Sequence, residues 1–133
     1  MLRLALGVVA GLLVGVLVIF AVESVGHMLF PPPEGMNLTD PQAMRQVMMV
    51  IPWQAKAMVL IAWFLGILAG ASTACLVAGR RALAGRITAA LLFAFAVWTM
   101  ISIPHPAWFV VAAVVATLAA AFLADKAFGR VRA

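Results

Sequence analysis

From Leu4 to Val22 the chain carries no charged or hydrogen-bonding side chain, and further apolar blocks follow at Ala57–Ala78, Ile87–Ile103 and Trp108–Ala124. Nothing else in the sequence constrains the fold as tightly. Lipid leaves no water for backbone N–H and C=O groups, so a crossing segment is a helix of roughly 20 residues or a strand of a closed barrel. The blocks show no period-2 alternation, which argues against a barrel. They predict an all-α integral membrane four-helix bundle, a single four-span domain over residues 1–133. Its helices are expected over about 4–30, 55–78, 87–103 and 107–125, with a loop over 31–54.

Composition agrees. Hydrophobic residues make up 67% of the 133 and charged residues 10%, and the mean hydropathy is +1.19. A soluble domain runs near half apolar with about a quarter charged, so a water-soluble globule is excluded, and so is a disordered chain. The prolines at 31, 32 and 33 must end the first helix, because successive prolines remove donors and restrict the residue before them; Pro104-His105-Pro106 ends the third. Arg3 before an apolar run resembles the start of a signal peptide, but the run exceeds the typical 7–15 residues. Ala21-Val22-Glu23 is also a poor small-x-small cleavage site, so an uncleaved first span is expected.

The net charge of +5 does not point to nucleic acid, because the basic residues form no aromatic-interleaved stripe and mostly flank the apolar blocks. Arg3, Arg80, Arg81, Arg86, Lys126, Arg130 and Arg132 fall on one side, and only Arg45 and Lys56 on the other. The positive-inside rule then puts both termini and the Arg80–Arg86 turn in the cytoplasm, with the 31–54 loop and the Pro104–Pro106 hairpin outside. A cell inner membrane, multi-pass, is the expected location. Trp53 and Trp108 would sit at the outer interface. Cys75 is the only cysteine, which excludes an intrachain disulfide and a C-x-x-C redox pair.

Gly7, Gly11 and Gly15 make two overlapping G-x-x-x-G steps on the first span, and Ala62, Gly66, Gly70 and Ala74 a similar stripe on the second. Small residues let helix backbones approach closely where lipid supplies no hydrophobic push. The stripes suit packing inside one bundle, and equally self-association or union with another membrane protein. In the outer loop, Thr39 or Asp40 can cap a short helix with Pro41 at its first position. Met44, Val47, Met48 and Ile51 share one face of it, which predicts an amphipathic helix lying on the membrane surface or lidding the bundle.

Ionisable groups near a bilayer are costly and therefore mark candidate sites. Glu23 and His27 stand four apart near the outer end of the first helix, on one face. His105 lies in the outer hairpin, and the topology brings all three to the same end, with Lys56 and Trp108 nearby. One carboxylate and two imidazoles suit zinc or copper, so Glu23, His27 and His105 form a candidate metal site; no other cofactor is expected. They suit a proton-linked or ligand-binding role as well. In a purely structural reading Glu23 bonds His27 or Lys56 and His105 closes a tight turn. Met28, Met36, Met44, Met48, Met49 and Met58 on the same side add soft thioethers that favour Cu(I), although methionine is also common filler on apolar faces. Ser72, Thr73 and Cys75 lack a histidine at their depth, and no glycine-rich phosphate loop occurs.

Four spans with a glutamate in the first resemble the small multidrug resistance exporters. Here, however, Glu23 lies at the end of its span, the charge bias is strong and tyrosine is absent. The chain more closely resembles small uncharacterised four-span bacterial membrane proteins in Glu23-Ser24-x-Gly26-His27, Pro31-Pro32-Pro33-Glu34-Gly35 and Ile103-Pro104-His105-Pro106-x-Trp108. That resemblance implies a shared fold and groups Glu23, His27 and His105 as one unit; it implies no activity.

Three functions compete. The first is a non-catalytic subunit, assembly factor or self-associating scaffold, in which the polar residues serve stability only; an outward cavity lined by Glu23, His27 and His105 would count against it. The second is a small transporter or ligand-binding protein using Glu23 at the outer face. The third is a zinc or copper protein or enzyme using Glu23, His27 and His105.

Overall fold

The computed structural model describes residues 1–37 and 39–130; Arg132, counted in the charge bias, lies outside them. The helices are α1 (Leu2–Leu29), α2 (Pro41–Val50), α3 (Trp53–Val77), α4 (Ala82–Ser102) and α5 (Ala107–Phe128). All but α2 are long and apolar enough to cross a membrane. The chain is a multi-pass membrane protein with an all-α bundle.

Local chemistry sets most helix ends. The last N–H of α1 to find a helical acceptor is that of Phe30, which donates to the Gly26 carbonyl at 2.8 Å before the proline run begins. At the end of α4 Ile103 N–H donates to the Thr99 carbonyl at 2.9 Å, and Pro104 stops the helix there. The α3–α4 connection is tighter than expected. Gly79 adopts φ +73° and Arg80 φ +63°; Arg80 N–H donates to the Cys75 carbonyl at 2.6 Å and Gly79 N–H to the Leu76 carbonyl at 3.1 Å. That pairing is a Schellman cap, for which glycine at the left-handed position is favoured. The turn is complete by Arg81, so α4 begins at Ala82, five residues before the expected Ile87. Arg86 therefore sits on a helix. Its guanidinium pairs with the Asp125 carboxylate on α5, Nη2 to Oδ2 at 2.8 Å and Nε to Oδ1 at 3.2 Å.

α3 is the hub. It packs against α1, α4 and α5, whereas no Cα of α1 comes within 8 Å of one on α5 among the described residues. The α1–α3 seam is the closest. A Cβ placed on Gly11 would stand 2.7 Å from the Cβ of Ala74 and 3.0 Å from Cγ2 of Thr88; one placed on Gly70 would stand 2.7 Å from the Gly11 carbonyl oxygen. Only glycine permits such an approach, and close approach is what gives van der Waals and weak Cα–H···O contacts their strength in lipid. The core is correspondingly built from small residues, Ala62, Ala71, Ala89, Ala96, Ala113, Ala120 and Ala124, with Trp63, Ile67, Leu92 and Phe109 as its bulk. Leu13, Leu17 and Phe20 on α1 and Val111, Val115 and Leu118 on α5 point outward and are exposed, which suits a lipid-facing surface.

Candidate functional site

α1, α3, α4 and α5 alternate in direction, so the end of α1, the start of α3, the end of α4 and the start of α5 share one end of the bundle. α2 lies across that end. Asp40 Oδ1 accepts the N–H of Gln42 at 3.1 Å, which makes Asp40 the cap. Thr39 instead donates its own N–H to Asn37 Oδ1 at 3.1 Å. With Pro41 at the first position, the helix turns Met44, Val47, Met48 and Ile51 toward the bundle, and Val47 is 1% exposed.

Beneath α2 lies a cavity of about 290 Å³, near the lower end of the range for ligand pockets. Glu23 and His27 from α1, Lys56 from α3 and His105 from the α4–α5 hairpin all line it. Thr99 also lines it, its hydroxyl donating to the Phe95 carbonyl at 3.1 Å, and the rest of the wall is apolar, including Phe30, Met58, Val59, Ile103 and Phe109. Gly26 is buried, and a Cβ there would reach 3.1 Å from the Cβ of Met58. Glycine between Glu23 and His27 thus lets α1 lie close to α3 at the site itself.

Each polar group has a distinct setting. Glu23 is half-buried, with the Trp63 indole and the His27 imidazole as its polar neighbours. His105 Nδ1 lies 2.6 Å from the Ile103 carbonyl oxygen; a carbonyl can only accept, so Nδ1 carries the proton and Nε2 is left as an acceptor. The ring stacks on Phe109 with centroids 4.4 Å apart and planes 20° from parallel. Burial pushes the imidazole below its ordinary pKa; the Ile103 carbonyl partly opposes this and the Lys56 ammonium adds to it. Phe109 also meets Trp63 edge-on at 5.6 Å. A chain of contacts therefore runs from His105 through Phe109 and Trp63 to Glu23.

Of the residues expected here, Glu23, His27, Lys56 and His105 are brought together, while Trp108 stands outside the cavity wall, 47% exposed and edge-on to Phe109 at 6.0 Å. Trp63 and Phe109 were missed, since an apolar residue within an apolar block gives no signal. Among the described residues no ion pair joins Glu23 to Lys56, and no three His, Cys, Asp or Glu side chains gather closely enough to hold a metal ion. Met44, Met48 and Met58 line the cavity with both histidines. No protein-family model, curated protein or solved structure matches the chain.

Proposed function

We propose that the chain is a membrane-embedded binding protein for a small, largely apolar molecule, held under α2 with Glu23 as its polar anchor. One observation carries this: Glu23, His27, Lys56 and His105, from three separate parts of the chain, line a single cavity roofed by the apolar face of α2. A scaffold held by glycine stripes needs no such cavity. The stripes themselves face each other across the α1–α3 seam, which favours their use within the bundle. Binding is favoured over through-transport because the opposite half of the bundle is closely filled: Thr88 and Thr117 are buried, and Gly11 meets Gly70 across the seam. Arg3, Arg80, Arg81, Arg86, Lys126 and Arg130, all remote from the site, favour an orientation with both termini cytoplasmic, in a cell inner membrane, and the site facing outward.

The test is photolabelling of the detergent-purified protein with a diazirine-bearing octanol, followed by peptide mapping. Label should saturate, concentrate on Met44, Met48 and Met58, and be competed by octanol. Glu23→Gln should weaken it about tenfold, since a hydrogen bond to a charged group is worth roughly 1.5–3 kcal/mol. Non-saturable label spread over lipid-facing positions such as Leu13 and Val111 would overturn the proposal. Met44, Met48 and Met58, lining the same cavity as His27 and His105, favour a second reading, a copper site. Equimolar copper, retained on purification and lost in both His27→Ala and His105→Ala, would put it first.

A further inference from the structure

The deep cavity is not isolated. A shallower groove of about 430 Å³ adjoins it, and the two share Met48, Lys56 and His105 as a common sill. Arg45 completes the groove rim from α2, and no acidic residue lines it. Among the described residues the other basic side chains, Arg3, Arg80, Arg81, Arg86, Lys126 and Arg130, lie near the other end of the bundle, whereas Arg45 and Lys56 converge on one groove. Among the described residues neither has a carboxylate within 4.0 Å. The mouth of the pocket thus carries two cations without a carboxylate partner, and Glu23 lines the cavity beyond them.

Resting on the binding function proposed above, the geometry points to an anionic amphiphile as the ligand, its phosphate or carboxylate head on Arg45 and Lys56 and its apolar chain passing over Met48 and His105 into the cavity under α2. The guanidinium and ammonium supply charge-assisted hydrogen bonds to the head. Glu23, which anchors the hydroxyl of a neutral alcohol, offers an anionic head no comparable partner, so such a head takes the two cations at the mouth and its chain runs inward. His105 Nε2, an acceptor, gives the head no bond and forms the sill against which the chain turns. The same chemistry is offered by a membrane phospholipid and by a single-chain acid or phosphate ester arriving from water.

Competition against the octanol photolabel separates the possibilities. Octyl phosphate should displace it at about one-tenth the concentration that octanol requires, and octyltrimethylammonium should be poorer than octanol. Arg45→Gln and Lys56→Gln should each bring octyl phosphate down to the level of octanol, Arg45→Lys should retain part of the preference, and Lys126→Gln, at the far end of α5, should leave it intact. High salt should narrow the gap. Equal displacement by octyl phosphate and octanol in the wild type would overturn the anionic subsite and leave the cavity standing; absence of saturable displacement by any of the three would remove the binding function too. Native mass spectrometry from mixed phosphatidylglycerol and phosphatidylcholine nanodiscs assigns the source. Phosphatidylglycerol retained by the wild type and released by Arg45→Gln identifies a membrane lipid, whereas equal retention of both lipids, with the octyl phosphate preference intact, identifies a water-borne ligand.

Discussion

His105 shows how a single side chain acquires its properties from neighbours far away in sequence. Its ring is half-buried against Phe109, Lys56 approaches from α3, Arg45 faces the same groove from α2, and Glu23 and His27 face the shared cavity from α1. Burial is the largest influence and pushes its pKa below the ordinary 6.5. The sign for stability follows. The unfolded chain takes up this proton more readily than the fold does, so the stabilising contribution is fully present above about pH 6.5 and is lost as pH falls toward the folded value. An NMR titration should place the His105 midpoint below 6.5, with Lys56→Met moving it upward; a midpoint at or above 6.5 contradicts the setting described. The His105 role was only half legible. Its place at the outer end followed from counting spans, and its Ile103 hydrogen bond matches a turn-closing histidine. The Phe109 stack did not, because a phenylalanine inside an apolar block has no sequence signature distinguishing core from lipid-facing positions.

At the scale of elements, α2 was read almost completely from local pattern. Its apolar face repeats at three and four residues, its proline sits at the first position and an acidic residue precedes it. Removing the Asp40 cap should cost about 1 kcal/mol of helix stability. Asp40→Ala should then hasten amide exchange at Gln42, Ala43 and Met44 and tryptic cleavage after Arg45, while Asp40→Asn stays close to wild type; unchanged exchange would show that packing alone holds α2. The start of α4 was misjudged for a comparable physical reason. Arg80, Arg81 and Arg86 read as one polar turn, but the Schellman cap at Gly79 reverses the chain within a few residues, and the Arg86–Asp125 pair lets a charged residue occupy the first turns of a spanning helix. A cap at glycine is local and could have been foreseen from Gly79. The ion pair joins residues 39 apart and could not.

For the whole molecule, the α1–α3 seam decides the architecture. Gly11→Leu would drive a branched side chain into Ala74, Thr88 and the Gly70 carbonyl. Overpacking of a close contact costs about 1–3 kcal/mol or more, so a sharp loss of thermal stability in detergent is expected, with no change in oligomeric state. A variant of undiminished stability that merely dissociates an oligomer would place the glycine stripe on an outer surface instead. Span number, most span ends and the polarity of α2 follow from the chain alone, because prolines, caps and the 3.6-residue period act over a few residues and lipid demands closed backbone hydrogen bonding. Which faces of the spans meet does not follow, because in so apolar a chain every face is hydrophobic and close packing alone selects among them. The cavity is a product of that selection: it exists because Gly26 brings α1 against α3, the α4–α5 hairpin lays His105 on Phe109, and α2 closes over both.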